Sequence, residues 1–163
     1  MAVALTALDA VVRVLGPQGE RAIPLTDFYR LPAEEPQRET VLGHDELITA
    51  VDLPPLAFAT HSHYRKVRDR ASYAFALVSV AAIIDSTRGH IRSARLAFGG
   101  LAHKPWRSAQ AEQRLTNVPA NTATFDTAAN AVLEGARGFG SNDFKMPLTR
   151  RTLHSVLAET TRT

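Results

Sequence analysis

Apolar and polar residues change period along this chain, and the change sorts it into a strand-rich first part and a helical second part. Met1–Leu8 is apolar and helix-compatible, with no polar lead-in and no cap. Val11–Leu15 (VVRVL) reads as a strand, Gly16-Pro17-Gln18-Gly19 as a turn and Arg21–Leu25 as the returning strand, so residues 10–25 form a hairpin. Thr26 or Asp27 can cap a short helical turn over Asp27–Leu31, and a polar, proline-containing loop follows over Pro32–Thr40. Glu46–Leu53 alternates as a strand and stops at Pro54-Pro55, which cannot continue a sheet interior. His63–Arg68 reads as a further strand. Phe75–Asp85 is continuously apolar. Periodicity alone leaves a buried helix open over Ala76–Ile84, and its Val and Ile content favours a strand. Arg88-Gly89-His90 makes a turn into Ile91–Phe98, where Ile91, Ser93 and Arg95 alternate with Arg92, Ala94 and Leu96.

After Pro105 the period becomes helical. Ser108–Leu115 consists of helix formers. Thr122–Gly135 sets Phe125, Ala128, Ala129 and Val132 at helical spacing, and Leu148–Glu159 sets Leu148, Leu153, Val156 and Leu157 on one side. Strands first and helices after is the α+β pattern. The expected architecture is a three-stranded antiparallel sheet of Phe75–Asp85 and Ile91–Phe98, flanked by Glu46–Leu53 or His63–Arg68, with the helices on one face. A β-hairpin unit over residues 1–42 precedes this unit over residues 43–163. Within the first 25 residues, Val3, Leu5, Leu8, Val12 and Val14 have no evident cover. They are expected to form an exposed patch and to promote self-association.

Composition narrows the chemistry. The 163 residues, 45% hydrophobic and 21% charged, match an ordinary soluble protein with room for a core. No cysteine is present, so disulfides, zinc-thiolate sites and iron–sulfur ligation by this sequence are excluded. The net charge of +3 is mild and local, without the aromatic interleaving of single-strand nucleic-acid binders. No apolar run approaches the roughly 20 residues of a membrane span. Met1–Val12 lacks a basic lead and is interrupted by Asp9, which argues against a signal sequence.

Four cations stand within six residues: Arg65, Lys66, Arg68 and Arg70. In a strand, Lys66, Arg68 and Arg70 share one face. That face can meet an anion, a cofactor or a partner, or it can be a solvated edge whose charges block aggregation, and spacing alone favours the edge. His61 and His63 form H-x-H, yet nothing in the sequence brings His44, His90 or His103 to them as a third ligand. Gly99-Gly100 lacks the G-x-G-x-x-G of a dinucleotide loop and reads as a close-approach or bulge position. Trp106 is expected to anchor the following helix in the core. There is no G-x-S-x-G, Ser79 lies in an apolar run, and no carboxylate pair stands out.

Two blocks, YRKVRDRASYAFALVSVAA and IRSARLAFGGLAHKPWRSAQAEQRL, resemble the C-terminal part of the FAD-binding subunit of molybdenum hydroxylases. That family includes the xanthine dehydrogenase, aldehyde oxidoreductase and carbon monoxide dehydrogenase flavoproteins. MAVALTALDAVVRVLGPQGERAIPLTDFYRLP looks like the end of the family's second FAD-binding subdomain, and DELITAVDLPP like the strand leading into its C-terminal domain. The resemblance implies FAD as cofactor, with Lys66 near the flavin ring through its K-x-x-x-R match and Ile48 packing beside the ring. Arg70 and Tyr73 are further flavin-side candidates. Tyr73 stands where many relatives carry an acidic residue. Implied partners are a molybdenum-cofactor subunit and an iron–sulfur subunit, in a cytoplasmic complex or a periplasmic one if a partner carries it there. The family's Gly-rich pyrophosphate loops lie upstream of the part seen here, so the chain is expected to be a fragment or truncated product that holds FAD weakly. The reading from residues alone leaves a second possibility, a cofactor-free α+β interaction module.

Overall fold

A computed structural model describes residues 1–56 and 61–162. Among the described residues, two antiparallel sheets are built from seven strands, with helices packed on them, the α+β arrangement expected. The first sheet contains Val11–Gly16 (β1), Gly19–Pro24 (β2) and Leu47–Asp52 (β3), in the order β2-β1-β3. The hairpin turns where expected, with Gly19 at φ +105°. Val12, Val14 and Ile23 point to one side and form a core with Ala10, Leu25 and Phe28, closed by Leu5, Tyr29, Val41 and Leu42. Val12 and Val14 are therefore buried within the chain, contrary to the exposed patch expected there. The apolar exposure lies instead on β3, at Leu47, Ile48 and Val51, and just beyond it at Leu53.

Strand β3 was the expected lead into the second unit. It pairs along β1, from Val11↔Asp52 to Leu15↔Leu47, and completes the first sheet. The physical reason is the open edge of β1 opposite β2, whose N–H and C=O groups need partners. The helical turn also differs. Leu25–Phe28 (α2) starts directly after Pro24, which enters it at φ −53°, and buries Leu25 and Phe28 on one side.

Ser62–Val67 (β4), Val78–Thr87 (β5), His90–Gly99 (β6) and Val118–Pro119 (β7) form the second sheet in that order. The flanking strand is thus the one from His63–Arg68, and a short fourth strand joins beyond the three expected. The β5–β6 turn places Arg88 at φ 51° and Gly89 at φ 74°, the two positive values a tight hairpin requires. Strand β5 begins at Val78, so Phe75 falls outside it. Simple alternation fails in β6. Ser86 pairs with Ile91 and Asp85 with Ser93, which leaves Arg92 as an inserted residue. This bulge turns Ile91 to the same face as Ala94, Leu96 and Phe98.

Both faces of this sheet are covered, which explains the unbroken apolar run of β5. Val78, Val80, Ala82 and Ile84 face Ala109–Arg114 (α3), Thr122–Leu133 (α4) and Lys145–Thr160 (α5). Ser108 and Asn121 cap α3 and α4 by accepting N–H bonds from Ala111 and Thr124 at 3.2 and 2.9 Å. Helix α5 begins before the expected Leu148, with Pro147 in its first turn, where a missing N–H costs nothing. On the opposite face Ala81, Ile83 and Ala97 meet Ala2–Ala7 (α1) through Ala7, with Val3, Leu8 and Leu56 alongside. Trp106 is 37% exposed and is no core anchor. Its backbone exchanges hydrogen bonds with Phe98 at 2.8 and 2.9 Å.

Candidate functional site

Strand β4 sends neighbouring cations to opposite faces. Arg65, with His63 and Val67, turns toward α5. Its guanidinium donates to both Glu159 oxygens at 2.7 and 2.8 Å and to Ser155 Oγ. His63 Nε2 lies 3.2 Å from Glu159 Oε2. The Arg65 hydrogen bonds hold the Glu159 carboxyl below the usual carboxylate range, against a smaller opposing effect of desolvation. Arg65 is thereby committed to joining β4 to α5.

Lys66 points the other way and is exposed. Its ammonium donates to the Ala74 carbonyl at 2.7 Å. The strand ends at Val67, so Arg68 and Arg70 lie beyond it and do not share a strand face with Lys66 as expected. Arg70 donates from Nε to the Tyr73 carbonyl at 3.0 Å, and again from Nη2. The same guanidinium lies 5.9 Å from the Tyr73 ring centroid, within cation–π range. Tyr73 adopts φ 47° and is 95% exposed, and Phe75 is 98% exposed. The loop closes where Leu77 N–H donates to Val67 O at 2.9 Å. Gly100 (φ +78°) lies against that closure. A Cβ there would stand 2.6 Å from Leu77 O, the close approach expected of the glycine pair.

Lys66, Arg70 and Tyr73 therefore meet around one loop. Ile48 stands on β3 of the other sheet, 43% exposed. Among the described residues no group of three His, Asp or Glu side chains could hold a metal ion. Sequence reading missed Phe75, counting it as the first strand residue. The available signal was the Tyr73-x-Phe75 pair directly behind the cations.

A second polar cluster also escaped it. Arg107 donates to Asp9 Oδ1, to Glu112 Oε1 at 2.8 Å and to Thr6 O at 3.2 Å, while Arg95 lies 2.6 Å from Asp9 Oδ2. Glu112 also accepts the Leu96 N–H at 2.9 Å. Burial disfavours the Arg107 charge, but hydrogen bonds to Glu112 and Asp9 outweigh it and raise its pKa above the ordinary value. The cluster binds α1, β6 and α3 together, a structural role.

With this geometry in place, the relatives are informative. Residues 62–160 match the family described as CO dehydrogenase flavoprotein C-terminal domain. The chain belongs to that family. Residues 1–56 match a second one, the FAD binding domain in molybdopterin dehydrogenase. The chain is 51% identical over 160 residues to the aldehyde oxidoreductase FAD-binding subunit PaoB of Escherichia coli, covering 98% of the chain and 47% of that protein. It is 32% identical over 132 residues to the glyceraldehyde dehydrogenase medium chain of Sulfolobus acidocaldarius, covering 81% of the chain and 44% of that protein. The chain thus spans about half the length of the curated relatives it matches. Its fold is that of quinoline 2-oxidoreductase from Pseudomonas putida 86, with TM-score 0.82, 23% identity, and 98% of this chain and 55% of that chain covered. The Cu,Mo-CO dehydrogenase matches at TM-score 0.82 and 20% identity, with the same coverage.

Proposed function

We propose that this chain forms part of the FAD-binding subunit of a molybdenum hydroxylase, with Lys66, Arg70 and Tyr73 on the flavin side and Ile48 beside the ring. The observation that carries this reading is the ordered pair of family matches over residues 1–56 and 62–160. The alternative of a cofactor-free interaction module gains nothing from them. The residues present fit a flavin ring. Lys66 spends one N–H on Ala74 O and keeps two for an acceptor edge, and no carboxylate pairs with it among the described residues. Exposed Tyr73 and Phe75 offer faces to a planar ring.

FAD, when bound, accepts reducing equivalents and passes them on. The chain's own contribution is to hold a positive charge where negative charge develops and to present apolar surface beside it. Partners in this reading are a molybdenum-cofactor subunit and an iron–sulfur subunit, and the complex is cytoplasmic. Among the described residues no helix is long and apolar enough to cross a membrane.

The test is Lys66→Met in the complete flavin subunit carrying this sequence. Removing the cation lowers the flavin midpoint potential, and a loss of about 1.4 kcal/mol corresponds to a tenfold change in the redox equilibrium. Equal midpoint potentials in spectroelectrochemical titration would overturn the assignment of Lys66.

A further inference from the structure

We infer that residues 68–77 form a preassembled aromatic clasp for a planar, electron-accepting ring, with Lys66 and Arg70 as the positioning residues that hold it open. The inference rests on the proposed function, in which that ring is the flavin. It adds Phe75 as a contact and gives Lys66 and Arg70 a mechanical role that their charge alone does not imply.

The loop is built from its base upward. Leu77 N–H to Val67 O closes it, and the missing side chain of Gly100 lets the Ala76 and Leu77 carbonyls pass. At the tip, two consecutive carbonyls are gripped, one from within the loop and one from β4. Arg70 takes Tyr73 O with two donors, and Lys66 takes Ala74 O. Tyr73 is held at φ 47°, a left-handed value that a bulky residue rarely adopts. Strain of this kind persists only where surrounding contacts over-determine it, and these hydrogen bonds do so.

The product of all this fixing is exposure. Tyr73 and Phe75, two apart in sequence, are 95% and 98% exposed. An unconstrained loop would bury such rings or leave them mobile. Here the backbone beneath them is tied at both carbonyls and at the base. Arg70 lies over the Tyr73 ring, and Lys66 and Arg68 add positive charge at the loop's foot. Aromatic faces edged by cations select a flat ring system that bears or acquires negative charge.

Two measurements test the proposal. The first needs no ligand. In the 163-residue chain, Lys66→Met should speed hydrogen exchange at the loop-closing amide of Leu77 about tenfold, and Lys66→Arg should restore much of the protection. Unchanged exchange in Lys66→Met would overturn the positioning role. The second uses the complete flavin subunit with FAD bound. Stacked aromatics quench flavin emission, so Tyr73→Ala combined with Phe75→Ala should raise it severalfold and displace the flavin absorption bands. Unchanged emission and absorption, with FAD still bound, would overturn the clasp and leave the flavoprotein reading standing. A complete wild-type subunit that takes up no FAD would overturn that reading, and the ring assigned to the clasp with it.

Discussion

Arg65 and Lys66 are neighbours with the same charge and opposite fates. Strand pleating sends Arg65 to a carboxylate on α5 and leaves Lys66 facing out with a carbonyl as its partner. Carboxylates divide in a similar way. Glu46 accepts two hydrogen bonds from Arg21, at 2.7 and 2.6 Å, and one from the Gly43 N–H at 2.6 Å. The Arg21 bonds, then the backbone bond, hold its pKa below the ordinary value, as Arg65 does for Glu159. A depressed folded-state pKa gives stability that is fully present above the unfolded-state value of about 4.3. That contribution fades as pH falls through the lower folded-state values. The thermal midpoint should therefore drop with acidification below about pH 4.3. Glu46→Gln should lower the midpoint at neutral pH and flatten the acid limb. A slope identical to wild type in calorimetric scans would show that Glu46 does not contribute.

At the scale of elements, the bulge in β6 decides what the sheet can bury. With Arg92 inserted, Ile91 joins Ala94, Leu96 and Phe98 against the helices. Deleting Arg92 restores strict alternation and turns Ile91 to the opposite face. The loss of a buried isoleucine costs about 1.5–3 kcal/mol. Arg92→Ala keeps the register and removes only a largely exposed pair with Asp85, 2.6 Å long, for an expected cost of about 0–1 kcal/mol. Urea unfolding of the two variants checks the difference, and equal midpoints would mean that the register adapts freely. The same bulge explains why alternation misled over Ile91. A period of two has no signature for an extra residue. The helix over Thr122–Gly135 was legible because Phe125, Ala128, Ala129 and Val132 repeat at helical spacing.

For the whole molecule, the N-terminal helix joins what would otherwise be separate parts. Ala7 packs on Ala81, Ile83 and Ala97, while Asp9 receives Arg95 and Arg107. Asp9 sits at φ 53°, which Asp and Asn tolerate better than most residues. Asp9→Asn keeps the backbone geometry and leaves two guanidinium groups without their shared carboxylate. The expected loss is about 1–3 kcal/mol, read by urea unfolding. Removing residues 1–7 should expose the Ala81–Ile83–Ala97 face and cause concentration-dependent association in light scattering. A truncated chain that stays monomeric at high concentration would show that this face needs no cover.

What the sequence determined by itself was local: the hairpins, the places of α3 and α4, the hydrophobic periods and the glycines needed at Gly89 and Gly100. These follow from backbone sterics and turn chemistry acting over a few residues. The resemblance carried by YRKVRDRASYAFA was legible in the same way, as a pattern of side chains. Tertiary structure alone decided which strand edge took Leu47–Asp52, which face α1 covers, and which cation near residue 65 is committed to an ion pair. Each of those depends on groups distant in the chain, such as Arg65 with Glu159 or Arg107 with Asp9. Phe75 shows the limit most clearly. An apolar side chain at the start of an apolar run reads as core, and only the loop closure at Val67 and Leu77 excludes it.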